Sequence, residues 1–328
     1  MKFPRIRRAE GVRALMFHGV CEVIPEYAYS PAGRSCMIES REFTTFLDWC
    51  LDRYDVIRLD DLERAVAGEW SGKPPVLLTF DDGLASVVDL AVPVLRRHGI
   101  SAVMFVTTEW TNGGRTPDIF ELERAVSGQL PLRLSINVEG DRFDASIRSH
   151  AEASRAFAQL WTFLLKIRFP PLKLRADQVR IDGASWDPLM GDPPDRHFWY
   201  PATWDELRAC VSEGVLEIGS HMTSHEPLMW LPPDEQRRQL LESRDLLTEV
   251  FDQLVTTCSY PHGFVDDRTE AIASEIYRWS FNSRRGRINW HTRAAAAPRY
   301  YVPGEAPKLL MRELEFGRPA RWLARLGL

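Results

Sequence analysis

Cysteine is scarce in this chain: Cys21, Cys36, Cys50, Cys210 and Cys258 are all there are in 328 residues, and no two form a C-x-x-C pair. An odd, scattered set excludes a disulfide scaffold and a cysteine-rich zinc site, and it suits a reducing compartment. Long apolar runs are missing too, so nothing approaches the ~20 residues that a bilayer-spanning helix needs. The basic start, Met1 to Arg8, leads into Ala9-Glu10-Gly11-Val12-Arg13 rather than an apolar segment. The expectation is a soluble, cytoplasmic chain with no stable membrane insertion. An excess of positive charge is absent: 41 basic residues stand against 46 acidic, a net charge of −5. That balance argues against a nucleic-acid partner, whose phosphates demand clustered Lys and Arg. The sequence has no G-x-S-x-G elbow, P-loop or Gly-rich dinucleotide turn, which removes serine-nucleophile, nucleotide and Rossmann chemistry. There is no internal repeat.

What remains is an ordinary globular composition, 45% hydrophobic and 27% charged. At ~150 residues per domain the length would suggest about two domains, yet single α/β barrels run longer. Short, nearly continuous apolar runs at 13–17, 56–59, 76–80, 102–106, 216–219 and 256–260 read as buried parallel strands. Helical patterns separate them. Ser40 can cap a helix whose Phe43, Phe46, Leu47, Cys50 and Leu51 form one apolar stripe. Thr203 and Glu206 make a capping-box pattern ahead of Leu207, Cys210 and Val211, with Gly214 at the end. Pro232-Pro233 opens a helix with Leu240, Leu241, Leu247 and Val250 facing inward. Alternation of this kind predicts a parallel sheet, as a barrel or a doubly wound fold. Residues 109–197 break the rhythm, with turn-rich ends at Thr111–Gly114 and Gly191–Pro194 and a helical middle at 152–169. They read as a mostly helical insertion in a single barrel spanning 1–328. The last helix, near Trp322, Leu323 and Leu326, reads as a packing element.

The strongest chemical signal is Leu78-Thr79-Phe80-Asp81-Asp82-Gly83, adjacent carboxylates at the end of an apolar strand. Two neighbouring Asp repel, so one is expected to hold a cation and the other to act as a base. An Asx-type turn would explain the Asp-Asp-Gly run if it stood alone. The second signal is His221-Met222-Thr223-Ser224-His225 after another strand, with two His at i and i+4 on one face of a helical turn. Asp82, His221 and His225 make a 2-His-1-carboxylate set, which suits Zn²⁺ with an open position or non-haem Fe(II). The extra carboxylate favours hydrolysis, because a base is needed beside the activated water.

These motifs resemble those of the polysaccharide deacetylases, carbohydrate esterase family four, the NodB-homology group. Thr79-Phe80-Asp81-Asp82-Gly83 is similar to that family's first motif and His221-Met-Thr-Ser-His225 to its second. Tyr200-Pro-Ala-Thr-Trp-Asp-Glu-Leu-Arg208 and Ser259-Tyr260-Pro261-His262-Gly263, which resembles the third motif, strengthen the likeness. It covers 12–108 and 198 to about 303. The resemblance implies a distorted (β/α) barrel that removes acetyl groups from an N-acetylated carbohydrate with a divalent metal, usually Zn²⁺. Asp81 would be the base, and Asp82, His221 and His225 the metal ligands. The backbone N–H of His262 would help stabilise the oxyanion, and Tyr260 and Pro261 would lie at the substrate. An acid must protonate the departing amine. His18, after the first strand, is the first choice, ahead of His262 and His291. Trp110, Trp230 and Trp290 are candidates for stacking on sugar rings. The sequence departs from the family where Ser259 stands in place of an Arg that usually holds the catalytic Asp, where His262 replaces Tyr, and where a late Leu-x-x-His is lacking. Two alternatives are hydrolysis of a non-sugar amide on the same barrel and a degenerate barrel that binds carbohydrate without turnover.

Overall fold

A computed structural model describes residues 11–114, 116–187, 195–304 and 306–316. The expected residues Gly191–Pro194, Trp322, Leu323 and Leu326 lie outside these. The strands are β1 (Arg13–Phe17), β2 (Gly19–Cys21), β3 (Met37–Glu39), β4 (Asp55–Val56), β5 (Pro75–Phe80), β6 (Ala102–Val106) and β7 (Leu132–Val138). They continue as β8 (Asp141–Ile147), β9 (Val179–Ile181), β10 (Ala184–Ser185), β11 (Leu216–Ser220), β12 (Thr257–Ser259), β13 (Trp279–Phe281) and β14 (Tyr300–Tyr301).

The main sheet runs β13-β12-β11-β6-β5-β1-β14, with β4 beside the first half of β5, and every pairing is parallel. Curled on itself, it makes a barrel whose two ends do not pair as strands. The segment 297–299 bridges them instead: Ala297 N–H donates to Ser280 O, and Asn282 N–H donates to Ala297 O. β1, β5 and β6 are buried throughout, as expected for parallel strands covered on both faces. Side chains alternate between two cores. Ala14, Leu77, Val103, Phe105 and Phe281 fill the barrel interior. Leu15, Phe17, Leu78, Phe80 and Met104 face the helices outside. On β5 the inward set is Leu77, then Thr79, and Asp81 follows at the mouth.

The expected helices are present at Ser40–Arg53, Trp204–Ser212 and Pro233–Phe251, although Ser40 is the first helical residue and Glu39, not Ser40, occupies the N-cap. Thr203 and Glu206 form the reciprocal capping box. The expected strand at 56–59 shrinks to Asp55–Val56. The insertion contains the expected helix, His150–Lys166, and a second at Asp118–Ser127. It also holds a four-stranded antiparallel sheet, β10-β9-β7-β8. In β7, Leu132, Leu134, Ile136 and Val138 are buried between outward Arg133, Ser135 and Asn137, which is the period of a half-buried strand. No helix among the described residues is long and apolar enough to cross a membrane.

Candidate active site

The first motif turns sharply where β5 ends. Asp82 (φ 78°) and Gly83 (φ 84°) are both left-handed, a conformation that costs a non-glycine residue ~1 kcal/mol or more and is typical of functional sites. A Cβ on Gly83 would also sit 3.1 Å from Val106. The turn is held by Asp81 N–H donating to Phe17 O and by Ala202 N–H donating to Gly83 O. The Tyr200–Ala202 stretch therefore braces the carboxylates. The reversal lets the two adjacent Asp face different partners.

Asp82 faces the histidines. Its Oδ1 lies 3.4 Å from His221 Nε2 and 3.1 Å from His225 Nε2, and all three residues are buried. A tetrahedral Zn²⁺ with ligands at 2.0–2.1 Å needs donors about 3.3 Å apart, so the spacing fits. His221 Nδ1 meets Ser259 O at 2.8 Å, which fixes the tautomer and leaves the Nε2 lone pair toward Asp82. Among the described residues neither Asp82 oxygen has a hydrogen-bond partner of its own. Burial would raise its carboxyl, but the two imidazoles hold it well below the usual carboxylate range. Burial lowers His225 and keeps it neutral. An ionised carboxylate and two imidazole nitrogens converging in a buried space form a donor set for a divalent cation.

The two His are not on a helical turn. Residues 221–225 form an irregular loop, with Met222 (φ 63°) and His225 (φ 59°) left-handed. Gln239, a residue the sequence did not single out, shapes it. Its Oε1 accepts from Thr223 and Ser224 N–H, both at 3.2 Å, and its Nε2 donates to Ser224 Oγ at 2.8 Å.

Asp81 has a different partner, which sequence reasoning also missed. Arg299, fully buried on the seam segment, donates from Nη1 and Nη2 to the two Asp81 oxygens, each at 2.7 Å. Its other N–H groups reach Thr79 Oγ1 at 3.1 Å, Ser259 Oγ at 2.6 Å and Asn282 O at 3.1 Å. Ser259 Oγ in turn donates to Asp81 Oδ2 at 3.2 Å. Burial pushes the Asp81 carboxyl up, but the guanidinium overrides it and holds it below its ordinary value. The one clue in the sequence was Ser259 itself, which left the carboxylate without its usual Arg and required another cation.

His18 follows β1 directly, near these carboxylates, its ring 5.9 Å from that of Tyr301. Burial opposes its charge, but the Cys36 sulfur and the carboxylates of Asp82 and Asp81 push it up to about 9. His262, left-handed at φ 57°, packs edge-on against His225 at 4.7 Å. Burial and the His225 ring drive its pKa well below the usual range, so it stays neutral. Trp110 stacks on His225 at 5.0 Å. Trp230 reaches the same rim through Phe264, which stacks on His262.

Three expected substrate residues are placed otherwise. Tyr260 is buried, with its hydroxyl donating to Ala295 O at 2.8 Å, so its side chain braces the third-motif turn from below. Pro261 is buried in that turn. Trp290 is 77% exposed and follows Ile288, which pairs with Val12 at the start of β1. That is the end of the barrel away from Asp81, and His291 goes with it.

The family model for polysaccharide deacetylase matches residues 69–127 and 189–277. The unmatched gap lies inside the insertion. No curated protein sequence matches the chain. Among solved structures, the chain is similar to the deacetylase PplD of Streptococcus pyogenes, determined in complex with acetate, at 17% identity and a TM-score of 0.61, covering 94% of this chain and 99% of that one. It is also similar to IcaB from Ammonifex degensii, at 18% identity and a TM-score of 0.57, covering 92% and 96%. The deacetylase domain of BpsB from Bordetella bronchiseptica matches at 17% identity and a TM-score of 0.50, covering 88% and 95%. These likenesses establish the fold. With both carboxylates and both histidines assembled at one strand end of that fold, the chain belongs to the polysaccharide deacetylase family.

Proposed function

We propose that this protein is a metal-dependent hydrolase that removes N-acetyl groups from an N-acetylated sugar or polysaccharide. The observation that carries the reading is the division between Asp81, clamped by Arg299, and Asp82, grouped with His221 and His225. Asp82, His221 and His225 would hold the cation, most simply Zn²⁺, which when bound supplies Lewis-acid activation of water and of the acetamide carbonyl. Asp81, ionised, takes the proton from the attacking water. The N–H of His262 donates to the oxygen that gains negative charge. The C–N bond then breaks, acetate leaves, and His18 gives its proton to the departing amine. His18 is favoured over His262 because it is held protonated, whereas His262 is held neutral. Trp110 and Trp230 border the site and offer flat apolar faces to a sugar ring.

The test is acetate release from N-acetylglucosamine oligomers. Chelation should abolish it, and Zn²⁺ or Co²⁺ should restore it. Undiminished release after exhaustive chelation would end the metal reading, and no release by the metal-loaded protein from any N-acetylated glycan would favour a binding barrel. His18→Gln should keep metal and fold yet slow deacetylation by roughly 10²–10⁴, with a smaller loss on an activated acetate ester that needs no acid. Near-normal turnover of the amide by His18→Gln would move the acid elsewhere.

A further inference from the structure

The outer face of the insertion sheet forms a groove of about 790 Å³, whose lining includes Arg133, Asn137, Arg142, Asp144, Gln178 and Arg180. Strand alternation creates it: the apolar residues of β7 turn to the core and the polar ones outward. Register then gathers the polar groups. Arg142 lies opposite Asn137 and Asp144 opposite Ser135 on β8, while Arg180 lies opposite Ser135 on β9.

The chemistry of the groove depends on which polar ends are already engaged. Asn137 Oδ1 accepts Gly140 N–H at 3.2 Å, and Gln178 Oε1 accepts Arg175 N–H at 2.9 Å. Each carboxamide thereby keeps an NH₂ donor with no partner among the described residues. Asp144 is paired with Arg142 at 2.8 Å, and Asp182 accepts the Arg133 backbone N–H at 2.8 Å. Among the described residues the Arg180 guanidinium reaches only main-chain carbonyls, of Asp177 at 3.1 Å and Val179 at 2.9 Å. That of Arg133 meets no carboxylate among the described residues. Both lining carboxylates are matched by an arginine, Asp144 by Arg142 and Asp177 by Arg175 at 3.4 Å, whereas Arg133, Arg180 and two carboxamide NH₂ groups are left over, so the face complements a ligand rich in acceptors and negative charge. Guanidinium groups on three neighbouring strands suit an extended chain better than a single ion.

We propose that this face is an accessory groove for an acidic polysaccharide strand, one that carries carboxylate or phosphate groups on its sugars. The chain entering the groove at Asp177 and Gln178 comes directly from Lys173. Lys173 pairs with Glu109 at 3.3 Å and Glu226 at 3.8 Å, neighbours of Trp110 and His225 at the catalytic rim. One end of the groove is thus tied through a short segment of chain to the catalytic rim. The proposal rests on the functional reading only in taking the ligand to be a glycan, and binding is measured without turnover, so the two can fail separately.

The test is calorimetry on the full-length, Zn²⁺-loaded protein with three probes: a galacturonate oligomer (carboxylate), a phosphorylated mannan oligosaccharide (phosphate) and neutral chitohexaose. At least one acidic probe should bind more tightly than chitohexaose and weaken as salt rises from about 50 to about 500 mM. Which acidic probe binds identifies the anion. Arg133→Gln with Arg180→Gln should lower affinity at least ~10-fold, and Ser146→Glu should do likewise by placing a carboxylate in the groove. Arg148→Gln, outside the lining, should change nothing. Acetate release from short neutral oligomers should be unaffected by the groove variants. Binding of chitohexaose as tight as that of both acidic probes, no acidic probe bound, or full affinity in the folded double variant would overturn the proposal.

Discussion

The guanidinium of Arg299 has five N–H groups, and each finds an oxygen: two on Asp81 and one each on Thr79, Ser259 and Asn282. Asp81 is thus fixed in direction and kept ionised to low pH. Asp82, its neighbour, receives nothing from Arg299 and is left to the histidines. A Lys at 299 would keep the charge but lose the fork. Arg299→Lys should therefore fold and keep its metal, yet lose at least ~10-fold in turnover. Its acidic limb in kcat/KM should also move to higher pH, because Asp81 loses what held its pKa down. An unchanged limb would mean that Arg299 supports the barrel and not the base. On the alkaline side activity should fall as His18 loses its proton, at or below about 9, since a bound dication can only lower that value. Asp81, Asp82, His221 and His18 could be grouped from sequence because each lies within two residues of a strand end, and His225 because of its spacing from His221. Arg299 could not be: it lies 218 positions from Asp81, on a segment with no chemical signature. The placement of Trp290 was misread because a loop after a strand need not return to the catalytic face.

Short loops, more than the strands, set the geometry. The His pair was read as a helical turn from its spacing, but a loop with two left-handed residues brings the rings together. The N–H groups of Thr223 and Ser224 in that loop both depend on one buried side chain, Gln239. Replacing it with Leu leaves those donors unpaired, at ~1–3 kcal/mol each. Gln239→Leu should weaken metal affinity roughly 10–100-fold, as loss of a ligand's support commonly does. Metal titration that matched the parent would show the loop to be rigid without it. The long strands and amphipathic helices were legible from period alone. β13 and β14, three and two residues long, are too short to show any period. The insertion sheet was passed over because its helices gave the louder signal.

At the scale of the molecule the insertion is no loose appendage. One buried cluster runs from Phe17, Leu78 and Phe80 of the barrel to Phe120, Leu134 and Phe157 of the insertion. Glu123, fully buried on the insertion, accepts the backbone N–H of Tyr29 at 2.8 Å and of Ser30 at 3.1 Å, in the connection between β2 and β3. Burial raises its carboxyl from 4.5 to about 8. The native state then binds a proton more tightly than the unfolded chain, so this contribution is complete below about 4.5 and fades as pH rises toward 8. Glu123→Gln should remove that slope from the thermal midpoint. A slope unaltered by the substitution would show that Glu123 does not link the insertion to the barrel in this way.

The central claim is that adjacent carboxylates have separate duties, and metal analysis combined with acetate release on two variants tests it most directly. Asp82→Ala should purify without the metal and without activity, while Asp81→Asn should retain the metal and lose turnover by roughly 10²-fold or more. An Asp81→Asn protein stripped of metal, beside an Asp82→Ala protein that keeps it, would contradict the account.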